Sequence, residues 1–222
     1  VTEYTTNIDI CNKALQEIGC ARITSLSGSR NADECGFLYD KARQALLREH
    51  VWGFSIAYQT LELSGTVVYQ NQLTRNKFSL PTDFVRLADQ NPRQPNQLSQ
   101  AVTGGIKSTD YSIEGGYLVT NLPSVILRYA SNVMDVTLMD PLFCDALAAK
   151  MCVDGLAEML TQNMQKRQLA EQRYEARIAL AKIIQTIEAA SDEPIEEMLK
   201  SARVLEQPPR PQPQQQQQPQ GR

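Results

Sequence analysis

Histidine is almost missing from this chain, His50 being the single one, so a Ser or Cys triad would depend wholly on that residue. His50 falls at the end of a helical pattern, where a positive imidazole favours the helix C-terminus, and a capping role accounts for it without catalysis. Signature loops are missing too: the sequence has no G-x-G-x-x-G, phosphate loop, zinc helix or G-x-S-x-G elbow. The pairs Gly104-Gly105 and Gly115-Gly116 stand alone. Cys11, Cys20, Cys35, Cys144 and Cys152 are odd in number and lack C-x-x-C spacing, which reads as reduced core thiols and leaves metal ligation without a framework. No cofactor or metal is expected.

Charge of one sign is also lacking. Lys and Arg number 22 against 25 Asp and Glu, a net of -3, which disfavours a strong basic grip on nucleic acid. No apolar run reaches about 18 residues and the first residues carry no signal-like pattern, so neither membrane insertion nor secretion is expected. What the chain does have is 42% hydrophobic and 21% charged residues over 222 positions, enough to bury a core without staples.

Periodicity divides the chain into stretches. Ile8, Cys11, Leu15 and Ile18 draw one helix face, with Thr6 and Asp9 as a capping box and Gly19 as the stop. A second helix is expected from Asn31, with Glu34 as its capping partner, to about His50. Its core stripe is Cys35, Leu38, Ala42, Ala45 and Leu46, and Asp40, Lys41, Arg43 and Arg48 are expected on solvated or interfacial faces. These two helices read as an antiparallel pair.

Residues 54–63 and 66–70 then turn rich in aromatic and β-branched types, with Ser64-Gly65 as a hairpin signal. Strands at 77–80 and 84–87 flank Pro81. A further hairpin joins 111–114 to 117–121 through Gly115-Gly116, and a last strand covers 125–130. Residues 89–100, dense in Asn, Gln and Pro, read as an exposed loop. The set predicts one small, mostly antiparallel sheet.

Asp140 followed by Pro141 marks a sharp helix start. The third helix runs to about Thr161 on the stripe Phe143, Ala146, Ala149, Val153, Leu156 and Leu160. Asn163 caps a fourth, about 40 Å long, whose stripe is Ala170, Tyr174, Ile178, Ala181 and Ile184. Arg167 and Glu171 make an i, i+4 pair on it, and its other charges read as solvated or subunit-facing. After Pro194 a short amphipathic piece, 195–205, gives way to a Pro/Gln-rich end that cannot form a core but could reach on the order of 100 Å as a tether. Trp52 and Phe54 are expected to be core anchors.

The fold class is therefore α+β: an antiparallel bundle of four main helices (1–51 and 140–191), an inserted β lobe (52–139), and an extended C-terminal tail (192–222).

Several phrases, in order, carry a resemblance. They are Ile10-Cys11-Asn12-Lys13-Ala14-Leu15 with Ile18-Gly19; Tyr39-Asp40-Lys41-Ala42-Arg43 to Leu46-Leu47-Arg48, then Trp52 and Phe54; Leu80-Pro81-Thr82-Asp83-Phe84; Ile113-Glu114-Gly115 with Leu118-Val119-Thr120-Asn121; Leu127-Arg128-Tyr129; and Asp140-Pro141-Leu142-Phe143. Over about residues 7–190 the chain resembles the tail tubular protein A family, the head-to-tail adaptors of short-tailed bacteriophages. The Gln/Pro end departs from that pattern.

The resemblance implies a virion protein, made in the host cytoplasm and placed at the head-tail junction. It implies a homo-oligomeric ring, typically of twelve copies, between portal protein and tail nozzle protein, with DNA passing transiently and non-specifically through the lumen and no membrane partner. With no triad, phosphate loop or metal framework in the sequence, no enzyme is expected. By analogy Ile195, Met198, Leu199, Arg203 and Leu205 would bind the portal and Asn91, Arg93, Asn96, Gly104 and Gly105 would face the nozzle, while the charged surface of the fourth helix puts Arg167, Arg173 and Arg177 between subunits. The competing readings are an adaptor with peptidoglycan hydrolase activity from a carboxylate pair, a head-completion connector of a long-tailed phage, and a DNA-binding factor.

Overall fold

The computed structural model describes residues 4–69, 74–88 and 111–190. Helix α1, Asn7–Ile18, starts at Thr6, whose hydroxyl accepts from Asp9 N while the Asp9 carboxylate takes the Thr6 N–H at 2.8 Å. Gly19 ends it at φ 74°, as its lack of a Cβ allows. Helix α2, Arg30–Glu49, is capped by Ser29, not Asn31, because the Ser29 oxygen accepts from Ala32 N; Asn31 instead donates to Ala21 O at 3.0 Å, tying down the preceding loop. Two faces also differ from expectation. Ala45 is exposed, and Arg43, expected at a solvated position, is fully buried.

Helix α3, Pro141–Met151, begins as expected, with Asp140 Oδ1 accepting from Leu142 N at 2.7 Å and proline in the first turn. Its buried set, Phe143, Cys144, Ala146, Leu147, Ala148, Ala149 and Met151, covers far more than one stripe. A helix apolar on most sides belongs inside. Accordingly α3 packs against both α1 and α2. A π turn, Cys152–Leu156, follows and leads into α4, Ala157–Thr161. Gly155 sits there at φ 156°, ψ -24°, and a Cβ on it would meet Met159 Cε at 2.9 Å and Leu38 Cδ1 at 3.6 Å. Gly155→Ala is therefore expected to cost about 1–3 kcal/mol, chiefly from backbone strain. A urea titration with the wild type alongside checks it, and equal midpoints would contradict it. Helix α5, Met164–Ala190, completes the helices; Asn163 Oδ1 accepts from Gln165 N at 2.9 Å.

The strands form two small antiparallel sheets among the described residues, not one. Strands β1 (Ile56–Thr60), β7 (Ile126–Ser131) and β4 (Phe84–Leu87) make a sheet in the order β1-β7-β4. Strands β2 (Leu63–Val68), β3 (Thr74–Ser79), β6 (Tyr117–Thr120) and β5 (Tyr111–Glu114) make the other, in the order β2-β3-β6-β5. Ser64-Gly65 does not turn a hairpin: both residues lie inside β2, where the register with β3 shifts between Leu63 and Gly65. A bulge absorbs the glycine, as strand-interior glycines often signal. The Gly115-Gly116 turn does form, with φ 55° and 82°, and pairs Glu114 with Tyr117. Phe78 and Leu118 from the larger sheet meet Leu127 and Tyr129 from the smaller in one apolar cluster with Leu61 and Val125.

A separate, larger cluster holds the helices together and also takes in Trp52, Val136 and Met139 from the flanking connections. The mixed α+β architecture is thus as expected, with the strands between the helices in chain order. Val1–Gln185 forms one unit, and the chain from Thr186 a second, of which the end of α5 is described.

Candidate functional site

Helix α1 carries no basic residue in its last turn, and α5 supplies what it lacks. Lys166 Nζ donates to Ile18 O at 2.6 Å, Arg173 donates to Glu17 O at 3.3 Å, and Arg177 pairs with the Glu17 carboxylate while donating to Asp145 O at 3.2 Å. Unpaired carbonyls and the negative end of the helix dipole both attract such cations. Further along α5, Lys182 Nζ and Tyr174 Oη donate to the two Glu49 carboxylate oxygens at 2.8 and 2.7 Å, and Gln185 Oε1 accepts from Gly53 N at 3.0 Å. Burial pushes the Glu49 carboxyl up, but hydrogen bonds from Lys182 and Tyr174 outweigh it and leave it below the usual range. One helix therefore straps the C-terminal ends of both α1 and α2.

The helices meet the smaller sheet and the chain just after it through arginines that donate to main-chain oxygens and to one asparagine side chain. Arg43 Nη1 reaches Asn132 Oδ1 at 2.7 Å and Val133 O at 2.6 Å, while its other side contacts Asp40 Oδ1 at 3.2–3.3 Å. Arg48 donates to Val85 O at 3.0 Å, and Arg86 returns donors to Arg48 O and Glu49 O at 2.9 and 3.2 Å. Tyr129 Oη donates to Asp83 Oδ1 at 3.0 Å. Burial first, then the Asp83 hydrogen bond, pushes the phenol up to about 12.

Arg86 performs the capping that was expected of His50. The His50 ring lies edge-on to Trp52 with centroids 5.0 Å apart, and burial, then the charges of Lys182 and Arg86, push its pKa down, so the neutral form is favoured. A cation already occupies the α2 carboxyl end, and a second would be repelled. Because the folded pKa lies below the ordinary 6.5, the unfolded chain takes the proton first as pH falls. The group's contribution is present above about 6.5 and is lost as pH drops through the folded value. Unfolding free energy should fall between pH 7.5 and pH 5.5 by less in His50→Gln than in the wild type; equal differences in paired urea titrations would refute the assignment.

Three of the cysteine thiols, Cys11, Cys144 and Cys152, offer little chemistry. Cys144 and Cys152 are buried, and burial first of all pushes each thiol up to about 12. Cys11 and Cys35 are also buried, and the hydrogen bond they share drives Cys11 up and Cys35 down. Protonated, enclosed thiols are poor nucleophiles. Among the described residues no group of three or more His, Cys, Asp or Glu could hold a metal, and no helix is long and apolar enough to cross a membrane. A cleft of about 260 Å³ between Glu158, Gln162, Asn163, Met164 and Arg167 falls below the usual size of ligand pockets.

Of the residues nominated from sequence, Arg173 and Arg177 are engaged by α1, as above. Arg167 pairs with Glu158 at 2.8 Å and Glu171 at 3.4 Å, its side chain 41% exposed. The structure does not bring the three to one site. Asn91, Arg93, Asn96, Gly104 and Gly105, like Ile195, Met198, Leu199, Arg203 and Leu205, lie outside the described residues. Sequence reasoning missed the Arg43, Arg48 and Arg86 joint. A signal for part of it was present: Arg43 sits one residue from Ala42 and three from Leu46 on the buried side of α2.

What the fold and these contacts define is a mixed α+β protein whose polar side chains chiefly tie elements to one another. No family model matches the sequence, and no curated protein matches it.

Proposed function

We propose that this chain is a structural subunit of a phage particle: a head-to-tail adaptor whose copies close into a ring between portal and tail nozzle and leave a channel for DNA. The observation that supports this best is where the phrases resembling the tail tubular protein A family fall. Asp83 of the Leu80-Pro81-Thr82-Asp83-Phe84 phrase accepts from Tyr129 of Leu127-Arg128-Tyr129. Arg43 of the second phrase holds the chain just after β7, Asp140 caps α3, and Gly115 turns the β5–β6 hairpin. The phrases thus mark positions that fasten the scaffold. A protein whose distinctive residues fasten its scaffold, rather than line a cleft, fits a part that works by presenting surfaces to neighbours.

In this reading the helices act as an antiparallel bundle, the β lobe presents its loops to the nozzle, and residues 192–222 extend as a tail onto the portal. The ring has twelve copies by analogy, and it acts without catalysis, metal or cofactor. The net charge of -3 suits a lumen that must let DNA slide rather than hold it.

The test is capture of the full chain by purified portal rings, followed by imaging of the assembly. A closed annulus beneath the portal, with capture lost on deletion of 192–222, is the expected result. Failure to bind portal rings, or clearance of a peptidoglycan suspension by the isolated chain, would overturn the adaptor reading in favour of another protein class or the hydrolase alternative.

A further inference from the structure

Helix α5 has two apolar faces. One, built from Ala170, Tyr174, Ile178 and Ala181, packs into the helical core. The other is left in solvent: Leu169 is 44% exposed, Leu180 49%, Ile183 57% and Ile187 62%. Together with Arg173 and Ala176 these residues recur at intervals of four, three, four, three and four, the spacing of a coiled-coil seam. The seam runs about 27 Å along the helix. A single amphipathic helix needs one such face, and α5 already has its own.

We infer that this second face is where a second copy of the chain docks, with the two α5 helices antiparallel about a two-fold axis near Ile178. The order of residues on the seam is what selects a copy of itself. Reversed and laid against itself, the stripe sets Leu169 opposite Ile187, Arg173 opposite Ile183, and Ala176 opposite Leu180, so that one layer matches small with large. The charge pattern permits it. Glu171, Glu175 and Lys182 lie on a different side of the helix, one flank of the seam carries Gln165, Gln172 and Ala179, and the charge on the other flank, Arg177, is already met by Glu17 of its own chain. Arg173 already directs its guanidinium to Glu17 O.

The exposed parts of the four large side chains amount to on the order of 400 Å², within the range of a functional surface patch. A standard interface buries about 800 Å² per partner, and the neighbouring exposed glutamines and alanines extend the contact toward that figure. A two-fold pair is closed and cannot grow into a ring. It is therefore a state of the free subunit, and it stands or falls separately from the adaptor reading.

Sedimentation equilibrium of the full chain over a range of concentrations is the test. The wild type should be dimeric at micromolar concentration. Ala176→Glu/Leu180→Glu should weaken pairing at least about 100-fold, since each change sets a carboxylate against one from the partner copy. Its circular dichroism should stay that of the wild type, because both positions are exposed, and its thermal midpoint should match the wild type's measured at a concentration low enough to separate the pair. Orientation is read by mixing Ala176→Cys with Leu180→Cys under mild oxidant. The mixture should give a covalent dimer, whereas each variant alone should give no more than the wild type does through its native thiols.

Self-crosslinking of either variant alone would mean parallel helices and overturn the pairing. A wild-type monomer at all concentrations would overturn it too, including the case in which the chain's own residues 191–222 cover the stripe. So would a dimer indifferent to the glutamates, or a larger closed ring that depends on Leu180.

Discussion

Arg43→Ala should lower the unfolding free energy by about 3–4 kcal/mol, the larger part from the two acceptors it leaves behind. Asn132 Oδ1 and Val133 O both take hydrogen bonds from Arg43 Nη1, and the arginine side chain is only 1% exposed. A buried acceptor stripped of its donor costs about 1–3 kcal/mol, more than the hydrogen bond contributes net. The ion pair with Asp40 adds little, since that carboxylate is 67% exposed and water replaces its partner. Removing the guanidinium also relieves its own desolvation, so the loss stays below that of a fully buried ion pair.

Arg43→Met, which fills the space but donates nothing, should fall between alanine and wild type. Arg43→Lys should recover only part of the loss, because one ammonium cannot reproduce the fork that contacts Asp40 and the 132–133 chain together. Chemical denaturation of the three variants measures this; a neutral Arg43→Ala would show that the joint between α2 and β7 is held by packing alone.

Trp52→Ala should cost about 3–5 kcal/mol, and a chain of this size should lose roughly 2–4 °C of midpoint for each kcal/mol. Trp52 is 1% exposed, its ring meets Phe143 at 5.1 Å and Phe54 at 6.4 Å, and its indole N–H donates to Leu46 O at 2.9 Å. Truncation removes the aromatic contacts and the indole's hydrogen bond to Leu46 O at once. Trp52→Phe should retain most of the packing but not the hydrogen bond, and so should lose about 1–2 kcal/mol. Since Trp52 is the only tryptophan, far-ultraviolet circular dichroism must serve for both variants. A loss in Trp52→Phe equal to that in Trp52→Ala would show that the hydrogen bond, not the ring packing, carries the effect.

Helix ends and one turn were readable before any coordinates. Thr6 with Asp9, Gly19, Asp140 with Pro141, and Gly115-Gly116 act through atoms no more than a few residues away, so local spacing is enough to specify them. Ser64-Gly65 failed for the converse reason. The pair is compatible with a hairpin, but β2 pairs with β3 and β1 pairs with β7, a choice made by partners more than sixty residues apart in the second case. His50 was misread because Arg86, which takes its place at the end of α2, comes from a strand 36 positions away. The candidate surface on α5 is intermediate: periodicity picked the stripe through Ala170, Tyr174, Ile178 and Ala181 that the core uses, but did not single out the second, exposed stripe.

The sequence alone determined where α1, α3 and α5 begin, which middle segments are extended, and that the chain is α+β, because dihedral preference, capping and amphipathic period are local properties. Tertiary structure decided the division into two sheets, the burial of Arg43, the clasp of α5 on the ends of α1 and α2, and the exposure of the second α5 stripe. Each of those depends on which surfaces meet across long chain separations, and many residues of the right polarity compete for the same contact until the fold selects one.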